Sequence, residues 1–189
     1  QGLTGKLIDE KQHPIPFANV AVLSANDSTL IGGTTSNAEG VFSIAEIHQG
    51  CILRVSSVGY QSQFIVYNGT SSITITLNED AQLLSEVVVK SKLPKTVFKG
   101  EGMITTVAGS VLEKTLSMES LLDLIPNLSA KDGSVVVLGR GSPEIYINGR
   151  KMRDRMELER LKPDEIKNVE VITNPGVRYN ASVKSVIRI

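Results

Sequence analysis

The 189-residue sequence contains no tryptophan, one cysteine and two histidines. Aromatic residues make up only 4% of it, so the core is expected to be aliphatic, drawn from a hydrophobic fraction of 41%. That fraction is enough to build a packed interior and excludes a disordered chain. The lone Cys51 excludes an intramolecular disulfide and any multi-cysteine metal site. It opens an apolar stretch and reads as a small buried hydrophobe. His13 precedes Pro14 in a turn and His48 lies near Gly50, so no His-rich metal centre and no cofactor are expected. Charge of one sign is also lacking: 20 Lys and Arg balance 20 Asp and Glu. A general nucleic-acid binder would carry a basic excess. No apolar run approaches the length of a transmembrane helix. The chain begins at Gln1 with neither Met nor a signal peptide, so it reads as a processed product or a trimmed piece. No nucleophile–base pair, metal cluster or phosphate loop can be assembled from these residues, so no enzyme activity is expected.

The balance of charge hides two halves of different character. Residues 1–80 hold 3 Lys/Arg against 7 Asp/Glu, a net of −4, and residues 81–189 hold 17 against 13, a net of +4. Such a shift predicts a boundary near residue 80. The first half reads as short strands between turn residues. They fall at Leu3–Ile8, Ala18–Leu23, Thr34–Ser36, Val41–Ile44, Ile52–Ser57, Phe64–Tyr67 and Ile73–Leu77. Asn37-Ala38-Glu39-Gly40 predicts a hairpin turn between the third and fourth of these. About seven strands at this spacing, with no helical period, predict a small β-sandwich over residues 1–80.

The second half changes period. Ser110-Val111-Leu112-Glu113 fits a capping box. Ser117 caps a further start, Met118, Leu121, Leu122 and Ile125 follow at helical spacing, and Pro126 ends the run. Val135–Leu138 suits a buried strand, Gly139–Pro143 a turn and Glu144–Asn148 the return strand, closed by Asn148-Gly149. A short helix is expected over Asp154–Leu161, a helical turn at Pro163, and strands over Asn168–Thr173 and Val183–Ile189. Residues 101–189 are therefore expected to be a mixed α+β domain. Between the halves, residues 81–100 read as a linker. It holds one β-prone run, Leu83–Val89, available to pair with another chain.

Particular residues carry a family resemblance. Gly5-Lys6-Leu7-Ile8-Asp9, Pro14-Ile15-Pro16-Phe17-Ala18-Asn19-Val20, Thr34–Phe42 and Val55–Tyr60 together resemble the carboxypeptidase regulatory-like domain. The resemblance implies a transthyretin/Ig-like seven-stranded sandwich without peptidase chemistry. Leu121–Leu128, Ile145–Arg150 and Ile166–Tyr179 resemble the plug of a TonB-dependent outer-membrane receptor. A sandwich followed by a plug resembles SusC-like and related receptors of Gram-negative bacteria, in which a large β-barrel follows. The resemblance implies an outer-membrane location, with this region on the periplasmic side and inside the barrel lumen. Its implied partners are the periplasmic domain of TonB, the protein's own C-terminal β-barrel and a lipoprotein lid. The implied role is gating the barrel and coupling uptake of a glycan, peptide or chelate to TonB. The alternatives are a freestanding binding or adhesion module and an enzyme accessory domain.

Within that resemblance, Glu86, Val87, Val88 and Val89 resemble the TonB box, which would add as a strand to TonB. The plain reading makes them the last sandwich strand or a crossover to the plug. Arg150 would face ligand at a plug loop, or pair with the barrel wall beside turn residues Asn148-Gly149. Arg140, between two glycines, would cradle an anion or simply sit in a flexible turn. Lys151, Arg153, Arg155 and Arg160 alternate with acidic residues, as on a solvated face. Asp27-Ser28-Thr29 resembles a short bacterial O-glycosylation motif or is an ordinary polar turn. A plug surface freed from its barrel is expected to form dimers.

Overall fold

A computed structural model describes residues 1–81 and 93–189. The chain is mostly β-sheet and divides into two compact units, Gln1–Val87 and Val88–Ile189. The first unit contains β1 (Leu3–Asp9), β2 (Asn19–Leu23), β3 (Leu30–Thr35), β4 (Val41–Ile44), β5 (Ile52–Ser56), β6 (Gln63–Val66) and β7 (Ser72–Leu77). They form a three-stranded sheet ordered β4-β1-β7 and a four-stranded sheet ordered β3-β2-β5-β6. In β1, Leu3, Gly5, Leu7 and Asp9 are buried while Thr4 and Lys6 are exposed, the two-residue period of a strand with one face inward. Leu3, Leu7, Val20, Phe42, Leu53, Val55 and Leu77 form the centre of one core. Phe42 and Tyr67 are the aromatic rings buried in that core, which is otherwise aliphatic, as the composition requires.

The turn at Asn37–Gly40 forms locally but does not make a hairpin. Asn37 N donates to Val41 O at 2.8 Å, and Asn37 Oδ1 accepts from Val41 N at 2.8 Å and Glu39 N at 3.1 Å. The flanking strands nevertheless lie in different sheets, since β3 pairs with β2 and β4 pairs with β1. Turn chemistry fixes the reversal, and the strand that accepts the emerging chain is set by tertiary contact. Leu7 N donates to Gly40 O at 2.8 Å, drawing the chain onto β1. Gly40 is required there. Its φ is +74°, and a Cβ would lie 2.6 Å from Leu7 O.

The second unit contains β8 (Thr96–Lys99), β9 (Gly102–Thr106), α1 (Met118–Leu124), β10 (Leu128–Lys131), β11 (Ser134–Val137), β12 (Glu144–Ile147), β13 (Arg150–Lys151), α2 (Arg155–Glu159), β14 (Asn168–Ile172) and β15 (Val186–Arg188). Six strands form a mixed sheet ordered β13-β12-β15-β14-β9-β8, and β10-β11 is a separate ribbon. Ser117 Oγ accepts from Ser120 N at 3.1 Å and so caps α1, whose Met118, Leu121 and Leu122 are buried along with Ile125 behind them. Asp154 caps α2 in the same way through Met156 N.

Four local expectations change. The Ser110 start leads into a single 3-10 turn, Val111–Lys114, and Glu113 Oε1 takes the Gly109 amide at 2.7 Å instead of closing a box on Ser110. Val135 and Val136 are only half-buried, because β11 pairs with β10 alone in a two-stranded ribbon that puts Val137 inside. The return strand Glu144–Ile147 does not return to β11. It pairs in parallel with β15 and antiparallel with β13. Gly139 and Gly141, at φ +76° and +80°, form a tight turn that bridges back to Val137 at Gly141 alone before the chain goes on to β12. Thr96–Lys99, within the stretch read as linker, forms the edge strand β8 and pairs with β9. Its register places Thr96 opposite Thr105, with their hydroxyls 2.9 Å apart.

Candidate functional site

The six-stranded sheet sorts its residues by parity. Ile145, Val169, Val171 and Ile187 are buried on one face. The registers Glu144↔Val186, Tyr146↔Arg188, Glu170↔Arg188 and Tyr146↔Lys151 put Glu144, Tyr146, Lys151, Glu170 and Arg188 together on the other. There Lys151 Nζ donates to Glu144 Oε1 at 2.8 Å, and Tyr146 OH donates to Glu144 Oε2 at 3.1 Å. Lys151, with help from Tyr146, holds the Glu144 carboxyl below the usual range against the cost of burial. The same contact raises the Lys151 ammonium. Burial, then the bond to Glu144, raises the Tyr146 phenol. Tyr179 packs edge-on to Tyr146 with centroids 5.7 Å apart. Arg188 Nη1 lies 3.6 Å from Glu170 Oε2. Alternating charges thus bridge neighbouring strands, an arrangement the sequence reading missed. A signal was present: a two-residue Asn148-Gly149 turn fixes Tyr146 opposite Lys151.

Arg150 opens β13 just after that turn, where Asn148 and Gly149 take φ values of +49° and +78°. Its Nη2 lies 2.5 Å from Glu157 Oε2 in the first turn of α2. Glu157 also accepts from Arg153 N at 3.1 Å. Arg150 first, then the Arg153 amide, keeps the Glu157 carboxyl low. Arg150 therefore ties a sheet edge to a helix within its own unit. Arg140 sits apart from it, exposed in the Gly139–Gly141 turn, with its amide donating to Val137 O at 2.9 Å. It borders an open cleft of about 410 Å³ with Ser142, Glu144, Ser182 and Lys184. Its lining is polar, although the Glu144 carboxylate is already paired with Lys151 and Tyr146 and the Ser182 hydroxyl donates to Asn180 Oδ1 at 3.3 Å.

Glu86, Val87, Val88 and Val89 lie outside the described residues. The chain on either side is described: β7 ends at Leu77, and β8 begins at Thr96 as the outermost strand of the six-stranded sheet. His13 Nδ1 is 3.3 Å from Asp9 Oδ2, and His48 Nε2 is 3.9 Å from Glu46 Oε1. Among the described residues no three His, Cys, Asp or Glu side chains group as metal ligands, and no helix is long and apolar enough to cross a membrane. At the Asp27–Thr29 turn, Thr29 N and Oγ1 donate to Asp27 Oδ1 at 3.2 and 2.8 Å, leaving Ser28 exposed at φ +55°.

Residues 3–89 match the CarboxypepD_reg-like domain family. The match ends at Val89 and so includes the Glu86–Val89 segment. The chain is also similar to the TonB-dependent receptor P39 of Formosa agariphila, with 29% identity over 154 residues. That alignment takes in 78% of this chain and 14% of the relative, so the chain spans about one-seventh of the relative's length. An alignment of 154 residues is longer than either compact unit, so the similarity crosses both. The two matches support an N-terminal region of a TonB-dependent receptor, and both point away from an enzyme. Residues 3–89 are thus similar to a non-catalytic regulatory domain family, and the chain as a whole is similar, across both of its units, to a TonB-dependent receptor.

Proposed function

We propose that the chain is the periplasmic extension and plug of a TonB-dependent outer-membrane transporter. The first unit is the extension. The second is the plug that occludes the barrel lumen, and Glu86–Val89 is the segment that pairs with TonB. The observation that carries this reading is the similarity to a TonB-dependent receptor across both units. Two features of the second unit support it. Leu116 and Val177 are essentially fully exposed, and Phe98 is 70% exposed, apolar side chains of the kind a barrel wall would cover. β8, the first described strand after the Glu86–Val89 segment, is four residues long and held on one side by β9. A pull on the segment reaches β8 first. The amino end of β8 lies beside the carboxyl end of β9, so the pull separates the pair one hydrogen bond at a time. An edge strand of this kind belongs to the weakly held part of a fold.

TonB would capture the segment by strand addition, in which main-chain hydrogen bonds supply the affinity and β-branched Val favours the extended form. Release of β8 then loosens the sheet and opens a path for a glycan, peptide or chelate. The Arg140 cleft supplies a polar surface for such a substrate. A second reading rests on the family match running through Val89: Glu86–Val89 would then be the last strand of the regulatory-like domain.

Calorimetric titration with the periplasmic domain of TonB separates the two readings. Binding by the parent chain and none by Val88→Pro is expected, because proline removes a main-chain donor from the paired strand. Absence of binding by a folded parent chain would overturn the transport reading and leave the segment as a structural strand.

A further inference from the structure

Among the described residues, β6 stands at the end of the β3-β2-β5-β6 sheet. Its sequence, Gln63-Phe64-Ile65-Val66, has no charge and no proline, the two devices that most often protect an open edge. The opposite edge, β3, is interrupted by a bulge opposite Val22/Leu23 and carries Gly32 and Gly33. The start of β6 is anchored to the other sheet by Gln63 Nε2, which donates to Thr76 O at 2.7 Å.

Backbone parity sets which groups of β6 are open. Tyr67 N donates to Cys51 O at 2.8 Å and Tyr67 O accepts from Gly50 N at 2.9 Å. Alternate residues of an antiparallel pair share that orientation, so Gln63 and Ile65 bond toward β5 while Phe64 and Val66 direct N–H and C=O outward. The side chains divide the same way. Ile65 packs against the core, and Phe64 and Val66 are 65% and 66% exposed on the outer face. On that face the register aligns Val66, Ile52, Leu23 and Leu30 in one aliphatic row across four strands. The adjacent row is Phe64, Arg54, Ala21 and Gly33.

We propose that this edge pairs antiparallel with β6 of a second copy of the chain, joining two four-stranded sheets into one. The edge is self-complementary in a way that favours a second copy. A two-fold axis through Ile65 sets Phe64 opposite Val66 of the second copy and Val66 opposite Phe64. Both pairs are hydrogen-bonded on the outward groups of each strand. The aliphatic row of one copy then continues into the Phe64 row of the other, and aromatic–β-branched pairs are among the favourable cross-strand contacts. The single charge of the face does not oppose the pairing. The two Arg54 residues fall in different rows and three strand spacings apart, roughly 14 Å, which exceeds the screening length at physiological salt. Four residues per strand make a small interface, so the dimer is weak and concentration-dependent.

Sedimentation equilibrium of the 189-residue chain over micromolar to millimolar concentrations tests this. The weight-average mass is expected to rise from 20.4 kDa toward twice that value. Phe64→Lys and Val66→Lys, each at an exposed position, are expected to remain monomeric, while Ile31→Lys on the opposite edge dimerises like the parent. Mixed Phe64→Cys and Val66→Cys chains are expected to form disulfide-linked heterodimers faster than either alone, which reports the register without relying on the lysine variants. A parent chain that stays monomeric throughout would overturn the proposal and leave the edge to an extended segment of a different protein. A dimer that survives both lysine substitutions, or that Ile31→Lys abolishes, would overturn it equally.

Discussion

The ring of Phe42 occupies the space a side chain on Gly5 would need. The two residues are cross-strand partners in β1 and β4, and a Cβ on Gly5 would lie 2.1 Å from the Phe42 ring tip. A buried aromatic side chain of this core is thus admitted by the smallest residue opposite it. Phe42 is 2% exposed and has little room to retreat in a close-packed interior. Gly5→Ala is therefore expected to destabilise the first unit by about 1–3 kcal/mol, read as a lower urea midpoint at unchanged slope. Phe42→Leu in the Gly5→Ala background should recover part of the loss, since the smaller side chain vacates the contested space.

Acid is expected to act on the buried and paired carboxylates. Burial opposes ionisation of Asp9, but the amides of His13 and Lys11 and the His13 ring outweigh it and lower the pKa from 3.8. Glu144 and Glu157 are lowered from 4.5 by Lys151 and Arg150 respectively. A carboxyl whose folded pKa is depressed binds fewer protons folded than unfolded. Its contribution is complete above the unfolded value and is lost as pH falls through the folded one. The thermal midpoint should be level from neutral pH down to about 5 and fall below about 4. Asp9→Asn should lower the midpoint at pH 7 and leave a shallower acid slope. An unchanged slope would show that the Asp9 bonds do not contribute.

Edge position predicts the order of opening in the second unit. Among the described residues β8 pairs only with β9, whereas β14 lies between β9 and β15 with Val169 and Val171 buried. Hydrogen exchange should give β8 amides a distinctly lower opening free energy than β14 amides. Equal protection would argue against β8 as the first element to yield under load.

The ribbon β10–β11 offers a test within one run of valines. Val137 is fully buried, while Val135 and Val136 are half-buried. Val137→Ala should cost about 2 kcal/mol. Val136→Thr, with its side chain partly in water, should lie within about 0.5 kcal/mol of the parent. Chemical denaturation of the two variants measures both.

Much of this protein is determined by local sequence. Alternation at Leu3, Leu7 and Asp9 specifies which face of β1 turns inward, and Ser117 and Pro126 bound a helix whose buried side follows from Met118, Leu121 and Leu122. The Asn148-Gly149 turn fixes the register of Tyr146 against Lys151. Each of these depends on neighbours a few residues apart, where backbone sterics, side-chain period and capping bonds decide the outcome. Tertiary structure alone decided the partners. Asn37–Gly40 reverses the chain in the manner its residues demand, yet the strand beyond it joins β1 instead of β3, because the Gly40 carbonyl meets Leu7 N. Glu144–Ile147 reads as a strand from its residues, but its parallel pairing with β15, some forty residues later, is invisible to any local pattern. The same holds for the engagement of Arg150 by Glu157 and for the exposed row along β6. Periodicity states that a strand has an apolar face. Only closure of the sheets determines whether that face meets a core, another strand or water.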